Sequence, residues 1–212
     1  MSPLPAMVLG RRAASAQNRV MISDSARVVA VIALAAAYAT MRYNVAKGVP
    51  WTDWPSYIAN KVLAVSGIVL LAMAALRKLR GNGSAAVLML WGGGATLAHV
   101  LLSLGLFSSG YFEKLFAGGK LTFVGGLSLL FATLATVLLE VGARQAQNWS
   151  PSASQRATAW LLILSALHTM TPSASGWLEP ATWPGHLPPL TLLATIPAAF
   201  AVSVWALGKR PG

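Results

Sequence analysis

Six long apolar segments, separated by connections that carry most of the charge, restrict what this chain can fold into. They cover residues 26–43, 57–76, 85–107, 121–139, 157–170 and 190–207. Because the hydrocarbon core of a bilayer is about 30 Å thick, an apolar helix of about 20 residues can cross it. The sequence therefore predicts an all-α, polytopic membrane protein built as a six-transmembrane-helix bundle. The fifth segment is the shortest, and its length also suits a buried or re-entrant helix.

The composition supports a membrane protein rather than a soluble domain. Only 10% of the residues are charged, against about 25% in an average soluble domain. The net charge of +11 does not indicate a nucleic-acid partner, because the basic residues lie between apolar segments, where they set topology. With no cysteine in the chain, disulfides and thiol redox chemistry are excluded, and any redox role requires a bound cofactor.

The basic residues predict the orientation of the chain. Five of the 16 fall on one predicted side, and the other eleven fall on the side that holds both termini. By the positive-inside rule both termini are cytoplasmic, as expected in a bacterial inner membrane. Residues 1–25 form a cytoplasmic arm, 26–207 the membrane domain and 208–212 a cytoplasmic tail. The first segment also imitates a cleavable secretory signal, with Ala37-Tyr38-Ala39 as the site.

Two of the three histidines fall inside predicted spans, where an ionisable side chain indicates function. His99 lies about 21 Å into the third span and His168 about 17 Å into the fifth, at 1.5 Å per residue. Since these spans run in the same direction, the two imidazoles are expected at similar depth in the outer half of the membrane. Such a pair could ligate one haem iron axially, or each histidine could hydrogen-bond a neighbouring helix.

Smaller features near the histidines have alternative interpretations. Ser165, on the face of His168, could orient that imidazole. The run Gly92-Gly93-Gly94 could admit a cofactor, but a close helix crossing is the better explanation. His186 lies in the outer connection 171–189; it could bind a metal or a partner, but a solvated interfacial histidine is the simpler interpretation.

An ordered set of motifs resembles the ferric reductase-like transmembrane domain. It comprises His99 late in the third span, the T-x-x-G start of the fourth span (Thr122 to Gly125), and Leu-His at 167–168. The segments 42–44 and 60–61 resemble short bacterial members, and the whole similarity covers most of residues 40–207. The family includes the haem-binding membrane subunit of the bacterial methionine sulfoxide reductase system.

This resemblance implies a membrane b-type cytochrome, in which the third and fifth helices supply the haem ligands. It assigns His99 and His168 as axial ligands of a haem b near the outer face. Two-haem members carry a second histidine about four turns earlier, where this chain has Ala85/Ala86 and Ser154/Gln155. At most one haem is therefore expected. We also expect no flavin or nicotinamide site, so that a quinol or a separate redox protein supplies electrons, and a periplasmic partner is compatible with the outer site.

Two other functions stay open at this point. The chain could be a relative of the family that has lost haem and serves as a membrane scaffold or partner subunit. It could also be a small transporter, although polar residues at the midplane and broken repeats, which transporters favour, are not clear.

Overall fold

A computed structural model describes residues 4–80, 85–145 and 147–208, with side chains from residue 22 onward. The described chain is mostly helical and has six long helices, each corresponding to one predicted segment. A π-helical turn (Met41–Ala46) continues α1, and a hairpin of two-residue strands, β1 (Phe116–Ala117) and β2 (Lys120–Leu121), precedes α4. The helices are α1 (Leu4–Thr40), α2 (Trp54–Leu79), α3 (Ala86–Gly105), α4 (Phe123–Gln145), α5 (Pro151–Met170) and α6 (Leu190–Gly208).

Five of these helical segments are long and apolar enough to cross a bilayer, which indicates an integral membrane protein. They are Ile22–Ala46, Trp51–Leu79, Ala86–Gly105, Phe123–Gln145 and Pro184–Gly208. The predicted arm 1–25 is, from residue 4, continuous with α1, and of the predicted tail only Gly208 lies within the described residues.

Helix α5 is the exception among the six. The structure begins it at Pro151 rather than at residue 157, because Ser150 caps its first turn and proline suits the first helical position. The added turn is polar and contains Ser152, Ser154 and Arg156. The 20-residue helix therefore has the length of a span without the apolar composition found in the other five.

The outer surface of the bundle is apolar, as contact with lipid requires. Leu34, Leu90, Leu101, Leu104 and Phe123 are each at least 68% exposed. The interior is built from smaller groups: alanines of α2, α4 and α6 pack with leucines of α2 and α5. Small interior residues let helix backbones approach closely, which is how helices associate when burial of apolar surface no longer drives association.

Helices α2 and α3 cross at very short range. A Cβ added to Gly67 would lie 2.5 Å from Thr96 Oγ1, and one added to Gly92 would lie 3.0 Å from Leu71 N. Gly94, in contrast, faces open space. The glycine run therefore serves close helix packing at Gly92, as the sequence analysis favoured. This crossing sets the position of α3, and with it the position of His99.

The T-x-x-G motif also has a local structural role. Thr122 Oγ1 accepts a hydrogen bond from Gly125 N at 2.9 Å, so the threonine caps the first turn of α4. A Cβ on Gly125 would collide with the carbonyl oxygen of Leu115. The motif thus fixes where α4 begins against the preceding loop.

The end of α1, the start of α2 and the residues just before α6 meet at one end of the bundle. There Trp54 Nε1 donates to Thr40 Oγ1, and Tyr38 Oη donates to the carbonyl oxygen of Pro188. We call this end, which includes the turn Met41–Ala46, the π-turn end. At the opposite end Asp24 of α1 is buried and forms ion pairs with Arg77 of α2 and Arg27.

Candidate functional site

The structure brings His99 of α3 and His168 of α5 near one another, toward the π-turn end. His168 lies close enough to His99 to contribute to its electrostatic environment, and both side chains are half-buried. Helix α3 packs mainly on α2, whereas α5 packs on α4, α6 and α2; α3 and α5 share only sparse packing. The two imidazoles thus lie in the same part of the bundle although the backbones of their helices are not in close contact.

The His99 ring is oriented by Asn60 of α2. His99 Nδ1 lies 2.6 Å from Asn60 Oδ1 and 3.2 Å from the Asn60 carbonyl oxygen. A carbonyl oxygen can only accept a hydrogen bond, so the proton of the neutral imidazole is on Nδ1. The lone pair of Nε2 is consequently available for a metal ion.

Asn60 extends this contact toward the loop between α3 and α4. Its Nδ2 donates to Tyr111 Oη at 3.0 Å, and Ser103 Oγ donates to Asn60 Oδ1 at 3.1 Å. Asn60 itself is 1% exposed. Burial raises the pKa of Tyr111, so its hydroxyl stays protonated at neutral pH. Both polar atoms of the Asn60 side chain thereby have a hydrogen-bond partner, which fixes the side chain as a support for His99.

His168 is held in an analogous way by Ser128 of α4. Its Nδ1 lies 3.0 Å from the Ser128 carbonyl oxygen and 3.0 Å from Ser128 Oγ. The serine hydroxyl also donates to the His168 carbonyl oxygen at 3.0 Å. The backbone carbonyl again puts the imidazole proton on Nδ1 and leaves Nε2 as the free nitrogen.

Both rings therefore present the same nitrogen. All hydrogen bonds that the described residues make with His99 and His168 rings involve Nδ1. A histidine that donates its Nδ1 proton to an oxygen and offers Nε2 is the usual arrangement of a metal ligand. Each of the two histidines is thus arranged so that its Nε2 could bind a metal ion.

The residues that the structure describes do not form a second candidate metal site. No group of three or more His, Asp or Glu side chains comes together there. His186 is exposed in the turn Pro184–His186, with a backbone φ of 55°. At the places where two-haem proteins carry further histidines, Ala85 is buried and Ser154 accepts a hydrogen bond from Lys78.

Sequence reasoning missed both residues that orient the histidines. The suggestion that Ser165 orients His168 is not supported, because the ring bonds to Ser128 on another helix. Asn60 could have been singled out, since an amide within an apolar span is costly unless it is hydrogen-bonded. Ser128 gave no comparable signal, because serine is common within membrane helices.

The chain matches no protein-family model, and a comparison with curated proteins gives no significant match.

Proposed function

We propose that this chain is a membrane b-type cytochrome-like electron-transfer subunit that holds a single haem between α3 and α5. His99 and His168 would hold it through their Nε2 atoms. The observation that carries the proposal is the matching state of the two rings. Each donates its Nδ1 proton to a carbonyl oxygen and leaves Nε2 without a hydrogen bond from the described residues, and both histidines lie toward the π-turn end of the bundle.

A haem held by these two histidines would supply one-electron chemistry. The residues of this chain would set its properties from outside the iron. Asn60 and Ser128 hold the ring orientations, and their carbonyl oxygens increase the basicity of the imidazoles, which stabilises the oxidised iron. The exposed leucines around α3 keep the site within the apolar layer.

The topology that goes with this function has six spans and both termini in the cytoplasm of a bacterial inner membrane. In that arrangement α5 crosses with its polar first turn at the cytoplasmic surface, and the haem lies nearer the outer face. A quinol or a separate redox protein would supply the electrons, and the outer position of the two histidines would suit a periplasmic partner. Reporter fusions after Gly83 and after Gly212 test the topology: both are expected to be active only in the cytoplasm.

The direct test is the absorption spectrum of the purified protein, oxidised and reduced. We expect a Soret band and a sharp reduced α-band, as six-coordinate haem gives. His99→Ala and His168→Ala should each abolish the α-band or change it to a five-coordinate spectrum, because one axial ligand is lost.

His186→Ala is the matched control and should leave the spectrum unchanged, because that side chain is exposed in a loop. A haem that survives both intramembrane substitutions would contradict the assignment. Wild-type protein that takes up no haem in cells supplied with it would overturn the proposal and favour the haem-less scaffold.

A further inference from the structure

An arginine is buried at the π-turn end without an acceptor for two of its nitrogens. Arg42, in the turn Met41–Ala46, is 7% exposed, and its Nε and Nη1 have no hydrogen-bond partner. The turn that contains Arg42 packs against the loop turn Pro184–His186. A guanidinium has only donors, and burying its charge is costly unless an acceptor is present. The described chain therefore leaves a place for an acceptor at this residue.

A second cation, Lys61, lies among three tyrosine rings, one of which is also close to Arg42. Lys61 Nζ is 5.0 Å from the ring centroid of Tyr57, 5.4 Å from that of Tyr111 and 5.9 Å from that of Tyr43. Arg42 Cζ is 5.8 Å from the Tyr43 centroid. Tyr43 thus lies within cation–π range of both charges, and the rings stabilise the cations without neutralising them.

The surrounding charges do not compensate this pair. The ion pairs formed among the described residues involve Asp24 and Glu140 as the acids, and neither Arg42 nor Lys61 takes part in them. Lys47 and Lys114 are near enough to Lys61 to add positive potential. Glu113 acts on Tyr57 but forms no ion pair with either cation. The cluster is therefore a region of net positive charge with unused donors.

We propose that Arg42 and Lys61 form a binding site for an oxyanion, a carboxylate or a phosphate. Such a group accepts the free guanidinium N–H bonds and balances both charges. Two sources supply this chemistry at a membrane surface. One is a propionate of haem, because Lys61 is also near His99; the other is the phosphate of an anionic phospholipid. The first source rests on the proposed function, and the second is independent of it.

The lipid source is tested by native mass spectrometry of detergent-purified, delipidated protein. Short-chain phosphatidylglycerol is titrated against wild type, Arg42→Gln and Lys61→Met, with phosphatidylcholine as the neutral comparison. If a lipid phosphate occupies the site, the wild type retains phosphatidylglycerol preferentially, and each variant loses about tenfold or more in affinity, because charge-assisted hydrogen bonds are strong. Arg80→Gln, an exposed arginine at the opposite end of the bundle, should behave as wild type.

The propionate source is tested by reconstituting the same proteins with haemin and with haemin dimethyl ester, whose carboxylates are blocked. If a propionate occupies the site, wild type prefers haemin by about tenfold or more, and Arg42→Gln and Lys61→Met lose this preference while keeping the axial spectrum. Circular dichroism and gel filtration identify folded variants; if Arg42→Gln does not fold, Lys61→Met decides.

The expected result in either the lipid titration or the haemin reconstitution supports the anion site, and comparison of the two experiments identifies its occupant. If the wild type takes up no haem but binds phosphatidylglycerol through Arg42, the proposed function is refuted and the anion site is retained. If neither variant changes lipid retention or the preference for haemin over its ester, the anion site is refuted, whatever the histidine variants show.

Discussion

Asn60 Oδ1 lies 2.6 Å from His99 Nδ1 across the α2–α3 interface. This contact joins the helix with the tightest packing in the bundle to the helix that carries the first candidate ligand. The ring orientation of His99 is therefore set by α2, and a change in α2 should alter the chemistry at α3 without touching the histidine.

Replacing Asn60 by leucine tests this relationship. Loss of Oδ1 leaves only the longer bond to the backbone carbonyl, so we expect haem affinity to fall about tenfold to a hundredfold. The midpoint potential should rise, because a less basic imidazole stabilises the oxidised iron less well. Haem content and redox titration measure the two effects. Asn148→Leu, in the exposed loop after α4, is the matched control; equal effects in both variants would contradict the role of Asn60.

Ser128→Ala should have a smaller effect on haem than Asn60→Leu. The variant keeps the Ser128 carbonyl oxygen as the acceptor for His168 Nδ1, so the spectrum should remain six-coordinate. It loses the buried hydroxyl contacts, which should reduce stability by about 1 kcal/mol. Thermal unfolding in detergent and the α-band are the measurements. Thr133→Val, on the exposed face of the same helix, should change neither; a five-coordinate spectrum in Ser128→Ala would contradict the argument.

Gly92→Ala should destabilise the bundle and Gly94→Ala should not. The added methyl group at Gly92 would press on Leu71 and Leu70 of α2, and such overpacking typically costs about 1–3 kcal/mol. At Gly94 the methyl group enters open space, and alanine favours the helix by up to about 1 kcal/mol. Denaturation of both variants in the same detergent compares them directly. Equal stability of the two variants would contradict the prediction, because it would mean that α2 and α3 can move apart at their crossing without loss of stability.

Asp24→Asn should weaken the attachment of α1 to α2. The carboxylate is 1% exposed and binds Arg77 and Arg27, and removing one charge from a buried ion pair costs about 3 kcal/mol. Limited proteolysis and thermal unfolding report this loss. Glu140→Gln breaks an ion pair in which Arg144 is 75% exposed, so it should cost under about 1 kcal/mol. A larger loss for Glu140→Gln than for Asp24→Asn would contradict the prediction.

Much of the helical layout could be predicted from apolar segments alone, because hydropathy directly reflects the solvent that a helix faces. The start of α5 could not be predicted from the apolar segments, because its first turn is polar. That turn is held by the Ser150 cap and by polar contacts such as that between Lys78 and Ser154. His99 and His168 could be identified because they are titratable groups in apolar surroundings. Their partners depend on which helices become neighbours, and a single sequence does not encode that in any local pattern.

Arg42 and Lys61 illustrate the same limit for charge. In the sequence they count among the basic residues that set orientation and fall within short segments of the family resemblance, and neither pattern indicates a binding site. Their burial beside Tyr43 arises because the end of α1, the start of α2 and the loop before α6 converge. No spacing rule along the chain anticipates this convergence.

The sparse packing between α3 and α5 has a consequence for biogenesis. Helices α2 and α3 form one tightly apposed hairpin, and α4 and α5 form another. Each hairpin can leave the translocation machinery as a unit before the two associate. A cofactor that needs one nitrogen from each hairpin cannot be retained by a half-synthesised chain. Binding of the proposed haem would thus be a late step of assembly, and it would stabilise the association of the two hairpins.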